Sequence, residues 1–75
     1  MTNPKKIILV FKTSVQDEEV AQVIVEKLSQ NSKIIRVNFD LEDVDNILRV
    51  ESSFDLSQTI SLELNKLGFV CEALK

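Results

Sequence analysis

"KIILVFKTSVQDEEVAQVIVEKL", residues 6–28, changes its hydrophobic period midway, and that change decides the fold. Its first third is a β-branched apolar run bounded by lysines, the pattern of a central strand over residues 6–13. After Thr13 the period lengthens. Asp17, Glu18 and Glu19 precede Val20, Ile24 and Leu28, which are spaced by four and share one helical face. The three acids occupy the first turn, where they favour the positive end of the helix dipole.

Working outward, "IIRVNFDL" alternates, which places Ile35, Val37, Phe39 and Leu41 on one face and Ile34, Arg36, Asn38 and Asp40 on the other. "EDVDN" is a polar turn, and "ILRVE" is a third strand with Leu48 and Val50 opposite Ile47, Arg49 and Glu51. Ser57 is the expected N-cap of a second helix whose buried face carries Ile60, Leu64 and Leu67. Gly68 follows where a helix C-terminal glycine belongs, because glycine enters the left-handed region freely. "FVCEALK" closes the chain as a last strand.

The order strand, helix, strand, strand, helix, strand predicts an α+β fold. The expected architecture is a ferredoxin-like βαββαβ sandwich: a four-stranded antiparallel sheet with two helices on one face, spanning residues 1–75 as a single domain. The usual strand order puts the first and third strands in the centre. Leu9, Phe11, Val23, Ile24, Val37, Val50, Ile60 and Leu64 are the expected core.

Composition narrows the function. Seventy-five residues with 44% hydrophobic and 28% charged content suit one small core. The single cysteine, Cys71, rules out an internal disulfide, and the chain has no histidine. A net charge of −3 and the lack of Trp and Tyr argue against a nucleic-acid partner. No apolar run approaches the roughly 20 residues of a membrane span. "MTNPKK" leads into the first strand without an apolar signal region, so a cytoplasmic protein is expected, with no membrane partner. There is no histidine base, no glycine-rich loop and no nucleophile motif, and Arg36 and Arg49 fall mid-strand, away from any phosphate cradle. No enzyme activity is expected.

Three segments carry a family resemblance: "FKTSV" at the end of the first strand, "VDNILRVES" across the third, and "LNKLGFVCEAL" across the closing helix, glycine and final strand. At this spacing they resemble the heavy-metal-associated domains, the copper-chaperone-like family, over nearly the whole chain. The resemblance implies a metal-binding turn in which the family's two CxxC cysteines fall on Asp17 and Val20. A thiolate pair at a helix start suits Cu(I), because the helix N-terminus lowers thiol pKa and sulfur is soft. Asp17 offers a hard oxygen and Val20 no lone pair, so the chain is identified as a degenerate member with no metal ligands and no cofactor expected. Neighbouring helical carboxylates point about 100° apart, so Asp17, Glu18 and Glu19 diverge around any ion. They read as a solvated helix start, with a metal site or recognition of a basic partner as the alternatives.

Two features remain. Cys71 alternates with Glu72, which belongs in water, so its thiol is expected under the helices. On the uncovered side of the sheet, Ile8, Val10, Ile47, Val70 and Leu74 are a candidate interaction face for a protein partner or a homodimer, or else scattered surface aliphatics. Two readings follow: a protein-interaction or regulatory module that has lost the cysteine site, or a metal carrier or sensor with non-family ligands.

Overall fold

A computed structural model describes residues 6–74; the expectation that "MTNPKK" carries no apolar signal region concerns mainly residues 1–5, which lie outside them, as does residue 75. The elements are β1 (Ile7–Thr13), α1 (Glu18–Ser29), β2 (Ile34–Asp40), β3 (Ile47–Ser52), α2 (Ser57–Lys66) and β4 (Cys71–Ala73). The fold is α+β: two helices and a four-stranded sheet of order β2-β3-β1-β4, with every neighbouring pair antiparallel.

The register explains the core. Leu9 pairs with Val50 and Phe11 with Leu48 across β1 and β3, while Val37 pairs with Val50 and Phe39 with Leu48 across β2 and β3. These residues share one face because side chains alternate along a strand. Phe11, Leu48, Val50, Ile24, Ile60 and Leu64 are at most 1% exposed and join Ala21, Leu28, Val37 and Cys71 in one cluster, into which both helices pack. Burying each large aliphatic or aromatic side chain contributes about 1.5–3 kcal/mol.

Four expectations are corrected. Val23 is 60% exposed, and Ala21 takes the inward position beside Ile24 and Leu28. The axis of α1 is rotated so that the small residue meets the sheet. In β2 a bulge between Ile34 and Arg36 shifts the register, pairing Ile34 with Ser52 and Arg36 with Glu51. An extra residue in a strand exchanges the faces on one side of it. Ile34 therefore packs against the core, and Ile35 is 57% exposed.

Ser57 is not an N-cap. It is the first residue of α2, and the Asp55 carboxylate accepts from both its backbone N–H (3.0 Å) and its hydroxyl (2.7 Å). This holds the Asp55 carboxyl below its ordinary pKa, chiefly through the Ser57 hydroxyl. Leu67, expected inside, is 43% exposed because it ends the helix. Gly68 follows at φ +91°, donating to the Asn65 carbonyl at 3.0 Å while Phe69 donates to that of Leu64 at 3.0 Å. That is a Schellman stop, with Phe69 folded back onto the core that contains Leu64.

Candidate functional site

The turn from β1 into α1 is pinned on both flanks. Thr13, 6% exposed, donates its hydroxyl to the Asn46 carbonyl at 2.7 Å and accepts the Val15 N–H at 3.2 Å. Its own N–H reaches the Asp45 carbonyl at 3.1 Å, tying the β2–β3 loop to the end of β1. That loop closes through an Asp43 carboxylate taking the Asp45 N–H at 2.9 Å, with Asn46 at φ +47°. On the other flank Ser14 donates its N–H to the Val70 carbonyl (3.1 Å) and accepts the Val70 N–H at its hydroxyl (2.9 Å). Val15 is fully buried at the base. Sequence reading missed Thr13, whose side chain is one of the few buried polar groups; its only signal was a polar β-branched residue closing an apolar strand.

In this frame Asp17 is the N-cap of α1. Its Oδ1 accepts the N–H of Glu19 at 2.7 Å and of Val20 at 3.3 Å, satisfying donors that a helix start leaves unpaired. Val20 is half-buried and packed against the core. Asp17 is thus a capping carboxylate turned to the backbone, and Val20 an aliphatic side chain turned to the interior. This donor set does not fit a soft metal ion: one oxygen is engaged and the second side chain has no lone pair.

Cys71 is 6% exposed in β4, within the helix-covered core. Burial pushes its thiol above the ordinary value, partly opposed by the Ser61 hydroxyl at 3.9 Å. A protonated, enclosed thiol is a poor nucleophile and a poor ligand.

The uncovered face of the sheet can be read in rows from the register. Arg36, Glu51 and Ile8 form one row, Asn38, Arg49 and Val10 the next, and Asp40, Ile47, Lys12 and Glu72 the third. Leu74 donates its N–H to the Val10 carbonyl at 2.8 Å, which brings it beside Val10. Ile8 is 54%, Leu74 45% and Val70 55% exposed; Val10 is half-buried. Ile47 is only 6% exposed, yet it lies outside the helix-side cluster. Its cross-strand neighbours Lys12 and Asp40 flank it, so it forms a floor to the face and not a protrusion. Ile8, Val10 and Leu74 adjoin one another, whereas the Lys12–Glu72 pair stands between them and Val70.

Charge organises the rest of this face. Glu51, its side chain 19% exposed, meets Lys6 at 2.6 Å and Arg36 at 3.5 Å. The Lys6 hydrogen bond, with the attraction of Lys6 and Arg36, holds its carboxyl below the usual range. Lys12 lies 3.7 Å from Asp45. Among the described residues no cluster of three or more acidic, cysteine or histidine side chains converges as a metal site would require, and no helix is long and apolar enough to cross a membrane. Comparison with family models, with curated proteins and with solved structures finds no match.

Proposed function

We propose that this chain is a protein-interaction or regulatory module on a ferredoxin-like, heavy-metal-associated-like sandwich, with the family's ligand turn replaced by a plain helix cap. The observation that carries this reading is the pairing of a capped turn with an aliphatic sheet face that neither helix covers: Asp17 caps α1 and Val20 packs inward, while Ile8 and Leu74 stand half exposed beside Val10. Water-exposed sheet faces ordinarily alternate to polar residues, and clustered exposed aliphatics mark contact surfaces. The partner surface is expected to set aliphatic groups against Ile8, Val10 and Leu74 and to complement the mixed charges of Arg36, Arg49, Glu51 and Glu72.

Val10→Lys tests this reading. It puts a cation among the aliphatic residues, with binding to a partner captured by the wild type measured by titration and the fold checked by circular dichroism. Loss of binding with the fold intact supports the reading. A wild type that binds no protein through this face, or a folded Val10→Lys variant that binds its partner undiminished, overturns it.

A further inference from the structure

β2 has one strand neighbour, β3, among the described residues, so its outer edge presents unpaired backbone groups. Such an edge is a template for another strand unless it is short, bulged or blocked by charge. The bulge lies at the start of β2; from Arg36 to Asp40 the register advances one residue at a time against β3. This regular segment reads Arg-Val-Asn-Phe-Asp, and it complements itself when turned end for end.

We infer that the β2 edge is the contact for a second copy of this chain, in which two β2 strands pair antiparallel about a two-fold axis at Asn38. In that register Arg36 lies opposite the second copy's Asp40, Val37 opposite its Phe39, and Asn38 opposite Asn38. The symmetry repeats each unlike pair, as a closed two-fold interface requires. The charges fall on the open face and the apolar pairs on the helix side, because side chains alternate. Opposite charges directly across strands are favourable neighbours. Arg36 is already 3.5 Å from Glu51 within the chain, and its five donors allow a second carboxylate. Asp40 has no cation within ion-pair distance among the described residues.

The helix side of the same edge supports this pairing. A shallow groove of mixed lining runs along β2 beside α1: Ala21, Val25, Val37, Phe39 and Leu41 are its apolar part, set among polar and charged side chains that include Glu18. Val25, Phe39 and Leu41 are only partly buried by the chain itself. Joining the edges brings two such grooves together and turns two four-stranded sheets into one. A register centred on Phe39 would set Arg36 against Glu42, but Leu41 and Glu42 lie in the turn beyond the strand. The contact shares Arg36 with the surface assigned to the partner above but not Ile8, Val10 or Leu74, so Val10→Lys and the Asp40 reversal tell the two apart.

Charge reversal in trans tests both the contact and its register. By sedimentation, the wild type is expected to dimerise with rising concentration. Arg36→Asp and Asp40→Arg, each folded by circular dichroism, weaken the dimer by roughly tenfold, since each sets like charges opposite one another twice. Mixed in equal amounts, the two variants restore it, because each then supplies the charge the other lacks. Asn38→Cys is the independent arm: antiparallel partners on the axis lie at a spacing a disulfide spans, so it should cross-link under oxidation faster than Gln58→Cys on the exposed side of α2. A wild type that stays monomeric at all concentrations, a dimer indifferent to both reversals, or a mixture that does not recover overturns the inference. So does a dimer lost in Val10→Lys and kept in Arg36→Asp, which would place the contact on the open sheet face.

Discussion

The Oδ1 atom of Asp17 holds the backbone N–H of Val20 at 3.3 Å, so the two residues are joined as helix cap and first-turn donor. The same oxygen takes the Glu19 N–H at 2.7 Å. Asp17→Ala removes both bonds and is expected to destabilise the fold by about 0.5–2 kcal/mol. Asp17→Asn and Asp17→Ser, which keep an accepting oxygen, should recover most of the loss in urea unfolding. Equal stability of Asp17→Ala and wild type would mean that the cap contributes nothing.

The rotation of α1 gives a second prediction. Ile24 is 1% and Val23 60% exposed. Ile24→Ala should therefore cost about 2–5 kcal/mol, with a cavity left behind. Val23→Ala, on the solvent side, is expected within roughly 0.5 kcal/mol of wild type. Comparable losses for the two would return Val23 to the core and contradict the observed helix face.

How much of this was legible in the sequence follows from the same residues. Period alone located both helices and all four strands, because Val20, Ile24 and Leu28, and then Leu48 and Val50, repeat without interruption. Gly68 was readable because a left-handed stop admits few other residues. The β2 bulge was not, since Ile34 and Ile35 are chemically identical and only the pairing with Ser52 decides which turns inward. The Asp55 carboxylate was overlooked in favour of the Ser57 hydroxyl because both residue types are common at helix starts, and which one accepts depends on where the backbone turns. At the turn, the absence of cysteine was plain from the sequence, but the capping role of Asp17 needed the position of two backbone N–H groups. The burial of Ile47 on the open face depends on its cross-strand neighbours Lys12 and Asp40, which no single strand reveals.

Burial of Cys71 sets both its reactivity and a pH dependence. In the folded protein a thiol reagent should react slowly, and in denaturant quickly; equal rates would contradict the burial. The folded thiol is held above its ordinary value by desolvation, so the folded state keeps its proton where the unfolded chain has lost it. Stability is then unaffected by this group below the ordinary thiol range and declines as pH rises through and beyond it. Cys71→Ala should remove that component of the alkaline slope, read as the difference between the two proteins' urea midpoints across pH.

Glu51 behaves in the opposite sense. Its folded carboxyl is held below the ordinary value of 4.5, first by the Lys6 hydrogen bond and then by the attraction of Lys6 and Arg36. The stabilisation is present above that ordinary value and is lost as pH falls through the lower folded one. Glu51→Gln should lie below wild type in stability at neutral pH, with the gap closing in acid and narrowing at high salt. A gap that is constant with pH would show that the ion pairs are not its source.

That the turn at Asp17 and Val20 is a helix start and not a metal site is tested most directly by a competition titration against a Cu(I) chelator under reducing conditions, run on wild type and on Asp17→Cys/Val20→Cys. The predicted result is that wild type leaves the chelator's Cu(I) in place, while the folded double variant withdraws it through a thiolate pair at the helix N-terminus. Tight, stoichiometric withdrawal of Cu(I) by the wild type would contradict the account.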